Sequence, residues 1–301
     1  MSLNMNKNNL KGTYTAFITP FKDDFSVDYE TLIKLVDKQL KANVEGLIIL
    51  GTTAEAQTLN KKEKLDVMLK IQEKVNGKIP LIVGTGSNDT RATIEATLIA
   101  QNYNFDGVLV VSPYYNKPTQ NGLYQHFITL SEAVDIDIIV YNVPSRTNVN
   151  ILPDTLQKIA ENCSNVIGVK ESSGNIEQIM EVVKNTPNDF IVMCGDDALA
   201  VPTIFVGAKG IVSVLSNYAP IQFGNCIRAA LEGNIVKANR LHYELFDLMQ
   251  VNFIETSPAP VKAVMKELGL IKNNLVRLPL VPISINNLEV IKKMLDSRNI
   301  D

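Results

Sequence analysis

Short apolar runs alternate with amphipathic stretches along most of the chain. Eight runs are rich in β-branched residues and apolar at consecutive positions, which is typical of strands buried on both faces. These runs span 14–19, 46–50, 81–84, 107–111, 136–141, 166–170, 190–194 and 210–214. Between them, apolar positions recur at helical spacing and predict helices over 28–42, 61–75, 90–101, 123–134, 153–161 and 176–186. Asp28, Asn60, Asp89 and Asn175 stand where N-caps belong.

Strict alternation of strands and helices predicts a parallel sheet. Eight such units within about 215 residues favour a closed (β/α)8 barrel over an open doubly wound sheet. After the eighth strand the pattern is helical over 221–231, 235–251, 258–268 and 285–296. We therefore divide the chain into a short leader (1–10), an α/β barrel (11–219) and a C-terminal helical extension (220–301).

Composition excludes several classes of protein. The formal net charge is −3 over 301 residues, with no basic run to bind a nucleic acid or a membrane surface. The polar first residues lack the apolar core of a secretion signal. Three widely spaced cysteines argue against a disulfide framework and for a reducing, cytoplasmic location. With two histidines and no zinc motif, we expect no metal site.

The predicted strand ends carry polar chemistry. The barrel topology would gather them at one rim, where active sites of such barrels lie. These segments are "GTTAEA" (51–56), "SPYYNKPTQ" (112–120), "YNVPSRT" (141–147), Lys170 and "GDD" (195–197). The rim thus combines hydroxyls, tyrosines, an arginine and a lysine.

Lys170 ends the apolar run "VIGVK" and is the candidate nucleophile. An amine attacks a ketone only in its neutral form, and desolvation at a barrel mouth favours that form. The resulting Schiff base would act as an electron sink without a metal or an external cofactor. The structural alternative is an ion pair with Glu171 or with an acid on a neighbouring strand. Lys262 is the nearest rival, but helical spacing is expected to point its side chain to solvent.

The other candidates are suited to proton transfer and carboxylate binding. Thr52, Tyr115 and Tyr141 could relay protons, and Thr53 with the amides of its turn could bind a small carboxylate. Arg146 offers a planar fork for a second carboxylate. The alternatives are turn-capping threonines, a tyrosine packed at a loop or subunit interface, and a surface salt bridge for the arginine.

The motifs occur in the order and spacing of the dihydrodipicolinate synthases, which the chain resembles from about Lys11 to its C-terminus. The resemblance rests on "GTTAE", "SPYYNKPTQ", "YNVPSRT", "VIGVKESSG", "GDDA", "GAKGIVSV" and "FIETSPAPVKAVM". Two departures are Ala54, where the family commonly has glycine, and "KESSG", where an alanine-threonine pair is more usual. We expect the Ala54 methyl group to be tolerated.

The resemblance implies condensation of pyruvate with L-aspartate 4-semialdehyde, the first committed step towards diaminopimelate and lysine. In it, Lys170 matches the Schiff-base lysine, and Thr52, Tyr115 and Tyr141 match the proton relay. Tyr115 is expected to reach in from a neighbouring subunit of a homotetramer built from tight dimers. The matching substrate-binding positions are Thr53 for the pyruvate carboxylate, Arg146 for the semialdehyde carboxylate, and the backbone carbonyls of Gly195 and Val212.

Other functions remain open at this point. N-acetylneuraminate lyase and keto-sugar-acid aldolases resemble this chain in the lysine and the tyrosine, but would not be expected to carry "PSRT". A non-catalytic barrel that binds pyruvate or an amino acid is the alternative from another class. Lysine-inhibited family members have a cleft whose matching positions here are Ala56, Gln57, Lys61, Lys64, Asn88, Ala92 and Tyr114. Because residue 92 offers no acid to a cationic ligand, we predict that L-lysine does not inhibit.

Overall fold

A computed structural model of the chain describes residues 10–296. Its eight parallel strands follow one another in chain order in a closed barrel, which confirms the predicted (β/α)8 class. The strands are β1 (Gly12–Ala16), β2 (Gly46–Ile49), β3 (Leu81–Gly84), β4 (Gly107–Val111), β5 (Ile138–Asn142), β6 (Val166–Glu171), β7 (Ile191–Cys194) and β8 (Gly210–Ser213). The expected leader lies outside the described residues except for Leu10.

Twelve α-helices accompany the strands within the described range. They are α1 (Tyr29–Lys41), α2 (Lys61–Val75), α3 (Thr90–Asn102), α4 (Gln120–Ala133), α5 (Pro144–Thr147), α6 (Pro153–Asn162), α7 (Ile176–Asn185), α8 (Ala200–Phe205), α9 (Pro220–Leu231), α10 (Ile235–Val251), α11 (Ala259–Glu267) and α12 (Ile285–Asp296). No helix in this part of the chain is both long enough and apolar enough to cross a membrane.

The predicted helix starts are confirmed at their caps. The side chains of Asp28, Asp89 and Asn175 each accept a backbone N–H from the first turn of the helix that follows. Asn60 forms a full capping box with Glu63, in which each side chain accepts the other residue's backbone N–H. These bonds satisfy donors that a helix N-terminus otherwise leaves unpaired.

The sequence pattern missed two short helices and misplaced one strand. Helix α5 occupies the "PSRT" segment, and α8 follows the seventh strand. Each has six residues or fewer, which is too short for apolar periodicity to reveal, although Pro144 at the first position of α5 favours a helix start. Strand β1 begins at Gly12 and ends at Ala16, so the prediction over 14–19 was too late.

The chain falls into two compact units. Within the described residues, one combines 10–12 with 80–212, and the other combines 13–79 with 213–296. The helical tail therefore belongs to the same unit as most of β1 and all of β2. The division into a barrel at 11–219 and an extension at 220–301 stays a prediction.

Candidate active site

Lys170 and Tyr141 are brought together by the register of two neighbouring strands. They are direct partners in the β5–β6 ladder, so their side chains lie side by side on the same face of the sheet. Lys170 Nζ lies 4.2 Å from the centroid of the Tyr141 ring. Both side chains are at least nine-tenths buried, with Lys170 only 7% exposed. The amine is thus largely withdrawn from water beside a phenol that can exchange protons.

The expected alternative, an ion pair between Lys170 and Glu171, does not form. Consecutive residues of a strand point to opposite faces. The Glu171 carboxylate accepts hydrogen bonds from Asn142 Nδ2 at 3.0 and 3.2 Å, from the Ser173 N–H at 2.7 Å and from Gln178 Nε2 at 3.3 Å. Within residues 10–296, Lys170 forms no ion pair.

This group of amides around Glu171 was missed by the sequence analysis. Asn142 also donates to Asn150 Oδ1 at 2.8 Å, and Asn150 donates to Gln178 Oε1 at 2.8 Å. Burial raises the pKa of Glu171, although the hydrogen bonds from Asn142 and Ser173 oppose the shift. The amides come from a strand, a loop and a helix, so no local pattern joins them. They tie the C-terminal ends of β5 and β6, which carry Tyr141 and Lys170.

Gly195 lies directly against the lysine side chain. A Cβ atom at this position would come within 2.8 Å of Lys170 Cε and 1.8 Å of Ser172 Oγ. Only a glycine therefore allows the backbone after β7 to pass so close to Lys170. Ser172 Oγ is buried and has no hydrogen-bond partner in the described part of the chain. Val212, also a predicted pocket residue, is buried on β8 at 2% exposure.

Tyr115 and Arg146 follow β4 and β5 and are both exposed. Tyr115 is 88% exposed and adopts a left-handed φ of 73°, which is unusual for a residue with a side chain. Arg146 lies on α5, and its guanidinium forms no ion pair with any residue between 10 and 296. The salt bridge considered as the alternative for Arg146 is thus not observed within residues 10–296, where its fork is open to a ligand.

Thr52 and Thr53 lie in a tight turn after β2, in the other compact unit. The 3-10 turn Thr52–Ala54 is followed directly by Glu55, which is left-handed with φ of 55°, and Leu50, two residues before the turn, has the same φ. Ala54 itself has no positive φ, so its methyl group fits the backbone as expected. Thr53 is 6% exposed and Thr52 is partly exposed.

The expectation that Lys262 points to solvent is wrong. Its side chain is fully buried on α11 and forms an ion pair with Glu55, which is itself 3% exposed. Burial lowers the pKa of Lys262 to about 8, against the opposing effect of the Glu55 carboxylate. A helix of nine residues in which seven consecutive positions are buried has no solvent face for this lysine, and spacing alone does not show that.

No cluster of three or more His, Cys, Asp or Glu side chains within residues 10–296 is placed to hold a metal ion. The three cysteines are free and buried. The amine of Lys170 has the phenol of Tyr141 and the hydroxyl of Ser172 nearby. Such a set is suited to covalent catalysis on a carbonyl compound, in which protons move between nearby oxygens and nitrogen.

Comparison with known proteins identifies relatives of this chain. Residues 9–298 match the model of the dihydrodipicolinate synthetase family. A 4-hydroxy-tetrahydrodipicolinate synthase from Phocaeicola vulgatus is 44% identical over 291 residues, which cover 97% of this chain and 98% of the relative. The crystal structure of dihydrodipicolinate synthase from Thermotoga maritima superposes with a TM-score of 0.93 at 43% identity, covering 95% of this chain and 98% of that one. A structure described as the first monomeric dihydrodipicolinate synthase variant gives a TM-score of 0.94 at 43% identity, with 96% and 97% covered.

Proposed function

Because this chain belongs to the dihydrodipicolinate synthetase family, we infer that it is a lyase that condenses pyruvate with L-aspartate 4-semialdehyde. The product is 4-hydroxy-tetrahydrodipicolinate, in the biosynthesis of diaminopimelate and lysine. The observation that carries the proposal is a buried lysine at the end of β6, which contacts a strand-end tyrosine and forms no ion pair with any acid of residues 10–296.

We propose that Lys170 is the nucleophile. Its neutral amine attacks the ketone carbon of pyruvate, and loss of water from the carbinolamine leaves a protonated imine. The imine draws electrons from the adjacent methyl carbon, which loses a proton and becomes an enamine. The enamine carbon then forms a bond to the aldehyde carbon of the second substrate, whose oxygen takes up a proton. The amine of that substrate attacks the regenerated imine carbon, which closes the ring and releases Lys170 as a free amine. The contact of the Lys170 amine with the Tyr141 ring, and its freedom from any ion pair within residues 10–296, support this role.

The remaining roles follow from the family motifs. Tyr141 exchanges protons with the carbinolamine, which its contact with Lys170 Nζ at 4.2 Å from the ring supports. Thr52 and Tyr115 complete the relay, and Thr53 with the amides of its turn binds the pyruvate carboxylate. Arg146 receives the carboxylate of the semialdehyde. A further pair of positions, Gly195 and Val212, lines the site with backbone carbonyls.

We further propose a homotetramer of tight dimers that works in the cytoplasm. The exposure of Tyr115, at 88%, supports a role in which its side chain contacts a neighbouring subunit. A variant within the family is described as monomeric, so assembly differs among relatives. Sedimentation should show a dimer or tetramer, with activity falling on dilution into monomer. A fully active monomer would contradict a role for Tyr115 across an interface.

Trapping with pyruvate and borohydride tests the central proposal. Reduction of the imine should add one pyruvate-derived group, and peptide mapping should place it on Lys170. The Lys170→Ala variant should fold and lose the adduct together with most of the activity. Lys209→Ala is the matched control, because this lysine is exposed and precedes β8. Label on any other lysine would refute the assignment.

A substrate panel separates this reaction from those of the related aldolases. The chain should consume pyruvate with aspartate semialdehyde far faster than with N-acetylmannosamine or glyceraldehyde. A preference for N-acetylmannosamine would indicate an N-acetylneuraminate lyase instead of this synthase. No covalent mass increase with any partner would indicate a binding protein.

A further inference from the structure

We propose that Lys262 and Glu55 are positioning residues: their buried ion pair holds the turn that carries Thr52 and Thr53 in the geometry that binds pyruvate. The inference rests on the proposed function, in which Thr53 binds the pyruvate carboxylate and Thr52 relays a proton. Neither Lys262 nor Glu55 is assigned a contact with substrate. Their effect on the reaction would pass through the backbone.

Glu55 is the point at which this turn changes direction. Its backbone is left-handed, with φ 55° and ψ 38°, a conformation that is unfavourable for any residue with a Cβ atom. Its N–H donates to the carbonyl of Thr52 at 3.1 Å, and its own carbonyl accepts the Thr58 N–H at 3.0 Å. Glu55 thus ends one 3-10 turn and begins the next. Such a backbone persists only when surrounding contacts hold it.

The Glu55 side chain supplies those contacts. One carboxylate oxygen binds Lys262 Nζ, and the other accepts the backbone N–H of Arg277 at 2.8 Å. Lys262 Nζ also donates to the Leu275 carbonyl at 2.9 Å. The turn after β2 is thereby joined to α11 and to the segment 275–277. Both charged side chains are buried, so water does not compete for these bonds.

Arg277 holds the other end of the segment that begins at Glu55. Its guanidinium makes two bonds to the Glu63 carboxylate, at 2.5 and 2.9 Å, and donates to the Thr58 carbonyl at 2.8 Å. Both cations also lie near the Phe21 ring, with Lys262 Nζ 4.1 Å and Arg277 Cζ 4.6 Å from its centroid. The segment from Glu55 to Thr58 is therefore fixed at both ends by side chains from the C-terminal part of the same unit.

Stability alone does not account for a buried pair of charges. Desolvation of two ions often cancels their attraction, and well-packed apolar residues of the same volume can be equally stable. A paired carboxylate does fix the orientation of the backbone that carries it, because it binds two donors at defined positions. Here Glu55 fixes the backbone orientation directly after the turn Thr52–Ala54. A function in shaping the turn explains why charges occupy this place.

The test is a double-mutant cycle read in steady-state kinetics. The variants are Lys262→Met, Glu55→Gln and the double variant, with Lys266→Met as the control, since Lys266 lies on the same helix but is exposed. The double variant removes both charges and should keep the fold. We expect its KM for pyruvate to rise and its kcat/KM for pyruvate to fall by about tenfold to a hundredfold, as for a small misplacement of binding groups. The KM for the semialdehyde should stay within about twofold, because the bonds made by the side chains of Glu55 and Lys262 do not involve Arg146.

The outcomes separate this inference from the proposed function. A folded double variant with wild-type kcat/KM for pyruvate would show that the pair is only structural. Should the double variant not fold, Glu55→Gln decides, because it keeps an acceptor for Arg277 and should show the same change in pyruvate KM. A wild-type protein that forms no borohydride adduct on Lys170 would refute the proposed function instead. Wild-type trapping with unchanged kinetics in the variants would refute the positioning role alone.

Discussion

Replacing Gly195 by alanine tests whether the backbone after β7 fixes the reactive lysine. The new Cβ would lie 2.8 Å from Lys170 Cε and 1.8 Å from Ser172 Oγ. Carbon atoms pack at about 3.5 to 4.0 Å, so Cε must withdraw by roughly 0.7 Å or more. The serine hydroxyl can rotate away, whereas the lysine must leave its present position beside Tyr141.

Gly195→Ala should have a small effect on the free energy of unfolding and a larger effect on the rate of trapping. Overpacking of this kind costs about 1 to 3 kcal/mol of folding free energy, which a protein of this size tolerates. A displacement of about 1 Å at a reacting group can cost 10²-fold in rate. We therefore expect Gly195→Ala to stay folded while trapping of Lys170 by pyruvate and borohydride slows by about a hundredfold.

The assay is the rate of mass increase under single-turnover conditions, with thermal unfolding measured in parallel. Ser172→Ala serves as the reference, and the Gly195→Ala, Ser172→Ala double variant removes the contact at 1.8 Å but keeps the one with Lys170 Cε. The double variant should regain stability and still trap slowly. Trapping at the wild-type rate in the double variant would refute the reasoning, because the slow step would then come from Ser172.

Three further predictions follow from single side chains. Arg146→Ala should weaken binding of the semialdehyde by about 10- to 150-fold, the range for a charge-assisted hydrogen bond. An equal loss of pyruvate binding would mean that Arg146 has a structural role. Burial lowers the pKa of His126 to about 4, so the unfolded chain takes up the proton first as the pH falls below 6.5. The corresponding stability is lost between pH 6.5 and about 4 and amounts to about 2 kcal/mol between pH 7.5 and 5. Urea unfolding should show this loss as the difference between the wild type and His126→Asn, because His242, whose pKa burial also lowers, titrates in both proteins. Millimolar L-lysine should leave activity unchanged, and half-inhibition below a millimolar would show that the absence of an acid at Ala92 is no barrier.

Much of the fold is determined by local sequence pattern. The alternation of consecutive apolar runs with helical periodicity specifies parallel strands and their helices, because side-chain spacing decides which faces can be buried. Cap residues such as Asn60 and Asp89 act on neighbouring amides and could be identified directly. Lys170 could also be selected as a candidate from sequence, because it ends an apolar strand among strand ends that carry hydroxyls, tyrosines and an arginine.

The tertiary structure decided the partners of charged and buried groups. Lys262 was expected at the surface and proved fully buried against Glu55, a residue 207 positions away. Likewise, the amides around Glu171 come from separate elements, and Gly195 meets Lys170 only through strand register. Helical or strand spacing states which residues share a face. Which element then covers that face depends on the packing of segments distant in sequence, and this alone sets whether a charge is solvated or paired.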